Sequence, residues 1–305
     1  MCVGIGGGGD VVGALATADL AERLGTPAVL GGITWERRPI DPLPGPRRLD
    51  EVTGLVKRLN DVAGLAGPQT GGPGGFRFAE SGMAEALGTE VVLVDPNPGP
   101  RAVAAGLDDA AEQLGCDLVA LVDVGGDVLA HGEERGLASP LADAVLLAAG
   151  SYMTTPRVLG VFGAGCDGEL RPAEVLERVA EVTAAGGLLG AWALTADAAD
   201  RLEAAMEHVH TEASAMAVRC ARGGFGPAAI RDGTRPVELG PAGALTFFLD
   251  PVVARDSAAR LAAAVCEADS LQHADELLRA RGVRTELQSE TARPGRTYLA
   301  EEEKR

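Results

Sequence analysis

CVGIGGGGD at residues 2–10 and LVALVDVGGD at residues 118–127 share one pattern, in which a short apolar run ends in glycines and an aspartate. Similar apolar runs occur at Pro27–Leu30, Glu90–Val94 and Arg157–Phe162, and stretches of helical period lie between the runs. Continuous apolar strands that alternate with helices of ten or more residues are typical of a parallel sheet covered on both faces. The sequence therefore predicts an α/β fold built as a three-layer, mostly parallel, Rossmann-like sheet.

The predicted domain organisation is a single α/β domain over residues 1–290 with one insertion. Residues 35–78 are rich in Pro, Gly and Arg, and only residues 50–59 have a helical pattern within them. An irregular segment of this length in a compact domain is typical of a functional lid or a mobile insert. Farther along the chain we predict a long helix at Ala198–His210 and a solvated tail at residues 291–305.

The composition excludes several classes of function. Lys and Arg total 27 against 44 Asp and Glu, so the net charge is −17. A chain this acidic is not expected to bind nucleic acid or an anionic membrane surface. No apolar run reaches the roughly 18 residues that a membrane-spanning helix needs.

The cysteines and the N-terminus together predict a cytoplasmic protein. The five cysteines are scattered and include no C-x-x-C pair, which indicates reduced thiols and argues against a cysteine-built zinc site. The first residues show no signal-peptide pattern. Alanine-rich helices leave room for a homo-oligomer, but no residue pattern specifies one.

Glycine and a carboxylate follow four of the five predicted strands, as the opening pattern already suggests. Ligands bind at the carboxyl ends of the strands in open parallel sheets, so these loops are expected to meet at one site. Glycine lets backbone N–H groups approach a ligand closely, and aspartate supplies an oxygen ligand. The four loops are residues 6–10, 95–99, 123–127 and 163–168.

The loop after the fourth strand carries the most informative residues. Asp123 ends an apolar run and Asp127 follows a Gly-Gly turn. Clustered carboxylates suit Mg²⁺ or Mn²⁺, and crowded like charges raise one pKa enough for acid–base catalysis. We predict that Asp10, Asp123 and Asp127 hold such a cation. The predicted catalytic residues are Asp10, Asp123, Asp127 and Glu134, with proton transfer assigned to Glu134 or Asp127.

A small-molecule substrate is expected beside these carboxylates. The backbone amides of Gly7–Gly9 would orient it, and Arg231 or Arg235, in the only local excess of positive charge, would neutralise its anionic end. The predicted substrate-binding residues are Gly7, Gly8, Gly9, Ser139, Asp167, Glu212, Ser214, Arg231 and Arg235.

Structural explanations of the same residues stay open from sequence alone. Asp10 can be a plain helix N-cap. Ser139 can cap the next helix while Asp143 stabilises its first turn, and the arginines can offset an acidic surface.

The residues favour an enzyme that hydrolyses or transfers a group on a small polar metabolite, phosphorylated or nucleoside-like. A non-catalytic metabolite-binding or interaction protein would use the same pocket. A weaker alternative is an NAD(P)-dependent oxidoreductase, since Gly4, Gly6 and Gly9 fit G-x-G-x-x-G. Against this alternative, the second strand runs into Gly31-Gly32 rather than an acidic residue, and the Asp10 carboxylate would repel a pyrophosphate.

Several stretches resemble the DUF1152 family, whose function is unknown. The most specific is the acidic block at residues 123–143, which reads Asp-x-Gly-Gly-Asp, then Gly-x-Glu, then Ser-Pro-x-x-Asp. The resemblance covers roughly residues 1–250. It implies an α/β fold with these residues grouped, and it implies no activity. The other similar stretches are residues 6–14, 35–37, 41–42, 163–169, 212–214 and 231–235.

Overall fold

The computed structural model describes residues 1–292, which form eleven strands and eleven α-helices. The strands are β1 (Cys2–Gly4), β2 (Leu30–Ile33), β3 (Lys57–Arg58), β4 (Ala63–Ala66), β5 (Val91–Val94), β6 (Val119–Val124), β7 (Arg157–Phe162), β8 (Leu188–Ala193), β9 (Gly226–Ile230), β10 (Arg235–Leu239) and β11 (Leu245–Leu249). The helices are α1 (Asp10–Arg23), α2 (Ala79–Leu87), α3 (Pro100–Leu114), α4 (Pro140–Gly150), α5 (Pro172–Ala184), α6 (Ala196–Met206), α7 (Glu212–Ala221), α8 (Pro251–Ser257), α9 (Arg260–Val265), α10 (Leu271–Ala280) and α11 (Glu286–Ala292).

Nine of the strands form one sheet in the order β3-β4-β5-β2-β1-β6-β7-β11-β8. Its five central strands, from β5 to β7 in this order, are parallel. Antiparallel strands extend it at both ends, and β9 and β10 form a separate antiparallel ribbon. The predicted α/β fold is confirmed, and the parallel part of the sheet is its centre.

The strand order creates a crevice beside β1. The chain leaves β1 toward β2 on one side and later returns to β6 on the other side. The loops after the neighbouring strands β1 and β6 therefore run in opposite directions. The crevice between two such loops is where ligands bind in open α/β sheets. The first loop leads to Asp10, and Asp123 is the last residue but one of β6.

Two apolar cores cover the two faces of the sheet. Side chains alternate along each strand, so that Val3 and Leu121 join one core while Cys2 and Val122 join the other. Helices α3, α4, α5, α9 and α10 pack in the first core, and α1, α2, α6 and α7 pack in the second. Because the core side chains are mostly Ala, Val and Leu, the layers are held mainly by aliphatic packing.

The insertion is more ordered than the sequence suggests. The helix predicted at residues 50–59 is wrong, because this part of the chain contains turns and β3, which pairs with β4. Strand β4 in turn pairs with β5, and Ala63 of β4 lies opposite Val94 of β5. The hydrogen bonds between these strands satisfy backbone N–H and C=O groups of the segment. A short, exposed helix at the same place would be only marginally stable.

Other boundaries also differ from the predictions. The second strand lies at Leu30–Ile33, later than the predicted Pro27–Leu30. The helix predicted at Ala198–His210 is confirmed as α6, but it ends earlier than predicted, at Met206, and α7 begins at Glu212. Thr211 caps α7 by accepting the Ser214 N–H at 3.4 Å, so the chain turns there. Strand β8 was not predicted.

The predicted tail at residues 291–305 falls mostly outside the described residues. Its first two residues, Thr291 and Ala292, end α11 rather than fray. Within residues 1–292, no helix is both long enough and apolar enough to cross a bilayer.

Candidate functional site

A cavity of about 880 Å³ opens at the carboxyl edge of the sheet. Its walls come from the loops after β1, β2, β6 and β7, the turn between β9 and β10, and α11. The predicted loop at residues 95–99 does not line it. Asp95 instead accepts the N–H groups of Leu49 at 2.9 Å and Asn97 at 2.8 Å, so that loop has a structural role.

Three carboxyl groups meet beneath this cavity, and we call Asp10, Asp123 and Asp143 the inner triad. One oxygen from each lies within 4.8 Å of the other two. Asp10 accepts the Gly6 N–H at 2.9 Å, and Asp123 accepts the Gly126 N–H at 2.8 Å. Asp143 is only 2% exposed, and its Oδ1 has no hydrogen-bond partner among the described residues. A buried carboxyl oxygen without a donor is costly unless a proton or a cation accompanies it.

Burial raises the pKa of every member of the inner triad. The pKa of Asp123 rises to about 7, and burial outweighs the hydrogen bonds that oppose the rise. The pKa values of Asp10 and Asp143 rise well above the ordinary range, because burial is reinforced by the charge of Asp123. Near neutral pH the triad therefore retains protons unless positive charge is supplied.

Asp127, Asp167 and Glu169 form a second group, the outer triad, with oxygens also within 4.8 Å of one another. Glu169 is already fully engaged. It accepts two backbone N–H groups at the start of α4, the Ser139 hydroxyl at 2.5 Å and Arg235 Nη1 at 3.0 Å. Burial opposes ionisation of Glu169, but Arg235 and these hydrogen bonds outweigh burial and lower its pKa.

Asp127 and Asp167 behave in the opposite way. Burial, with the neighbouring carboxylates, raises the pKa of both well above the ordinary range. Of the neighbouring carboxylates, Asp143 contributes most to the rise at Asp127, and Glu169 contributes most at Asp167. The outer triad thus combines one carboxylate, Glu169, with protonated acids.

Arginines surround the carboxyl groups, which is notable in so acidic a chain. Arg37 donates to the Gly6 carbonyl at 2.7 Å and lies 4.4 Å from the Trp35 ring centre. Arg231 lies in the turn between β9 and β10 with φ at +53°, and its guanidinium has no ion pair or hydrogen bond to any described residue. The cavity-lining arginines are Arg37, Arg38, Arg77, Arg231, Arg235 and Arg284.

Helix α11 anchors one side of the site. Glu286 accepts the N–H groups of Leu141 and Ala142 at 3.0 Å each, at the start of the helix that carries Asp143. Arg37 lies 3.4 Å from Glu286 and 3.6 Å from Glu290. These contacts connect α11 with α4 and, through Arg37, with the glycine loop.

Comparison with known proteins gives a family and no activity. A family model described as a protein of unknown function, DUF1152, matches residues 1–293. The chain belongs to the DUF1152 family. The match confirms the resemblance and extends it past residue 250. No curated protein and no solved structure matches the chain.

The DUF1152 chain brings most of the predicted site residues into the cavity. Asp123 lies behind the wall, as part of the inner triad. The Gly8 N–H donates to the Trp35 carbonyl at 2.9 Å, so this amide is not free for a substrate. The predicted residues that line the cavity are Gly7, Gly8, Gly9, Asp10, Asp127, Ser139, Asp167, Glu212, Arg231 and Arg235.

Two predicted residues of the DUF1152 chain lie elsewhere. Glu134 accepts the N–H groups of His131 and Gly132 at 2.8 Å each and lies 3.6 Å from Arg178, so it stabilises its own turn. Ser214 is fully buried in the first turn of α7. Neither belongs to the cavity wall.

The predicted cation ligands are also regrouped. Asp143, not Asp127, completes the set with Asp10 and Asp123, and Asp127 belongs to the outer triad. The spacing of Asp143 from Ser139 and Pro140 signals a helix first turn equally well, so the sequence pattern leaves the role of Asp143 open. Glu169 appeared in the family motif, whereas Glu286 and Glu290 had no sequence signal.

Proposed function

We propose that this DUF1152 protein is an enzyme that binds one divalent cation, Mg²⁺ or Mn²⁺, and hydrolyses or transfers a group on a small phosphorylated metabolite. The observation that carries the proposal is Asp143, a buried carboxyl whose Oδ1 lacks a partner and which faces Asp10 and Asp123. Mg²⁺ and Mn²⁺ take oxygen ligands and tolerate several waters, so three carboxyls beside an open cavity suit them.

The inner triad is the better cation site of the two. Glu169 of the outer triad already accepts hydrogen bonds at both oxygens and pairs with Arg235, whose charge would repel a cation. In the inner triad, Oδ1 of Asp123 and Oδ1 of Asp143 are buried and have no hydrogen-bond partner among the described residues. Free lone pairs therefore remain for a cation.

The arginines supply the complementary charge for an anionic substrate. Arg231 has no competing partner and lies close to Arg235, whose charge, after burial, lowers the pKa of Arg231. Two crowded guanidinium groups beside a cavity gain most from a phosphate, which accepts several charge-assisted hydrogen bonds. The left-handed backbone of Arg231 is a strained conformation of the kind found at functional sites.

Asp127 is the candidate general acid. It lines the cavity, and its raised pKa keeps it protonated near neutral pH, so it can donate a proton to a leaving group. A bound cation would polarise a substrate oxygen or a water molecule. A dinucleotide is disfavoured, because its pyrophosphate at the start of α1 would meet the three carboxyls of the inner triad.

The test is Asp143→Asn with Mn²⁺ alone as the ligand. Wild-type protein is expected to unfold at a higher temperature with Mn²⁺, since a ligand at a hundred times its Kd adds about 2.7 kcal/mol. Asp143→Asn is expected to lose this shift. Without a cation, the variant should unfold at a temperature no lower than that of the wild type, because it removes a buried group that ionises unfavourably.

The matched control is Asp95→Asn, a buried aspartate outside the cavity. It is expected to melt lower, because its carboxylate accepts two backbone N–H groups, and to keep the Mn²⁺ shift. Wild-type protein that shows no shift with Mn²⁺ or Mg²⁺ would refute the cation site.

Catalysis requires a separate measurement. Phosphate release from a panel of nucleotides and sugar phosphates, with and without Mn²⁺, should reveal turnover. Asp127→Asn should abolish turnover and preserve the Mn²⁺ shift. Ligand binding without turnover across the panel would instead indicate a non-catalytic metabolite-binding protein.

A further inference from the structure

We propose that Cys166 and Cys220 form an oxidative modification site, a buried thiol pair that hydrogen peroxide converts to a disulfide. Cys166 lies in the turn after β7, and Cys220 lies near the end of α7. Both are buried, with 0% and 6% of their surface exposed. The proposal does not depend on the proposed function.

The two sulfurs face the same point in the core. A methyl group built on Gly243 would lie 2.6 Å from Cys220 Sγ and 2.9 Å from Cys166 Sγ, so only glycine leaves them room. Cys166 donates to the Gly243 carbonyl at 3.7 Å, which holds its sulfur beside the residue that Cys220 Sγ also approaches. A disulfide requires sulfurs that approach to about 2.05 Å. Here both sulfurs already lie within 2.9 Å of the same point in the core.

Cys220 is the more reactive member of the pair. The neighbouring Cys166 thiol, together with the Gly240 backbone, outweighs burial and lowers the pKa of Cys220 to about 7. Burial dominates at Cys2 and raises the pKa of its thiol to about 11. Since the thiolate is the nucleophile, Cys220 is expected to react first.

The oxidation has two balanced steps. The Cys220 thiolate attacks one oxygen of hydrogen peroxide, the O–O bond breaks, and hydroxide leaves, which produces a sulfenic acid at Cys220. The Cys166 sulfur then attacks the Cys220 sulfur, an S–S bond forms, and the thiol proton leaves with the sulfenic hydroxyl as water. Two thiols lose two electrons in total, and the peroxide is reduced to two water molecules.

The bond would join two walls of the cavity. Cys166 directly precedes Asp167, whereas Cys220 belongs to the helix whose first residue, Glu212, lines the cavity. A disulfide would therefore tie the loop that carries Asp167 and Glu169 to α7. This arrangement makes the wall of the cavity responsive to oxidant.

The experiment treats reduced full-length protein with limiting hydrogen peroxide and counts free thiols. Two of the five thiols are expected to disappear, the intact mass should fall by two hydrogen atoms, and a reducing agent should reverse both changes. Peptide mapping should link Cys166 to Cys220. The variants Cys166→Ser and Cys220→Ser should lose the cross-link, and Cys116→Ser should retain it.

Several outcomes would overturn the proposal. They are an unchanged thiol count in the wild type, oxygen added without a cross-link, or a link mapped to Cys2 and Cys116 instead. Full reaction in Cys166→Ser would also overturn it. Should a serine variant fail to fold, Cys166→Ala and Cys220→Ala provide the same test with an apolar side chain.

Discussion

Lowering the pH from about 8 to about 6 is expected to weaken Mn²⁺ binding at the inner triad by at least about tenfold. The cation requires ionised carboxylates, and Asp123 titrates with a pKa of about 7 in the folded protein. One unit above its pKa a carboxyl is about nine-tenths ionised, and one unit below it is about one-tenth ionised, a difference of about 1.4 kcal/mol. Burial raises the pKa values of Asp10 and Asp143 as well, so each proton that they release steepens the dependence.

The stability of the cation-free protein should also depend on pH, because the same carboxyls of the inner triad titrate. The pKa values of these carboxyls are raised on folding, so the folded state binds more protons than the unfolded state. The contribution of the triad to stability is therefore greatest on the acid side and decreases as the pH rises from about 4, the unfolded pKa, through about 7. Saturating Mn²⁺ should oppose this decrease, because it favours the ionised triad.

Isothermal titration calorimetry at three pH values measures the effect directly. Two buffers that differ in ionisation enthalpy give the number of protons released when Mn²⁺ binds. We expect at least one proton near pH 7 and no binding to Asp143→Asn at any pH. An affinity that stays constant across the range, or binding with no proton release, would refute the assignment of the cation to buried carboxyls.

Three further predictions concern single residues. Arg231→Ala should weaken the binding of inorganic phosphate by about tenfold or more, since a charge-assisted hydrogen bond contributes about 1.5–3 kcal/mol. Arg135→Ala, outside the cavity wall, is the control. An equal loss of phosphate binding in both variants would contradict a specific anion site. Glu286→Gln should lower the free energy of unfolding by about 1–3 kcal/mol in urea titrations, because the Glu286 carboxylate accepts two N–H groups of α4 and pairs with Arg37. Superimposable titrations of the variant and the wild type would disprove this role. Glu134→Gln should leave the Mn²⁺ thermal shift intact, and loss of the shift would return Glu134 to the site.

Much of the fold could be predicted because its signals are local. The apolar runs that become β1, β5, β6 and β7 are continuous, and each is bounded by glycine or a helix pattern. The insertion could not be predicted in the same way. Lys57–Arg58 and Ala63–Ala66 become strands because β5 offers a free edge for pairing, and the edge of a sheet is not visible in the sequence of the segment that joins it.

The candidate site likewise has a part that local sequence signals predict and a part that they do not. Asp10, Asp123, Asp127 and Asp167 could be predicted because each lies at or just after the end of a strand, and the carboxyl ends of parallel strands share one edge. The sequence by itself therefore determined the fold class, the DUF1152 resemblance and the edge of the sheet where carboxylates collect.

Only the tertiary structure decided how those carboxylates are grouped and which charges they meet. It pairs Asp143 with Asp10 and Asp123, commits Glu169 to Arg235, and brings Glu286 to Arg37 from far along the chain. The physical reason is that ionisation depends on burial and on distances of a few ångströms between charges. Those distances are set by how distant elements pack, and no local pattern of residues records them.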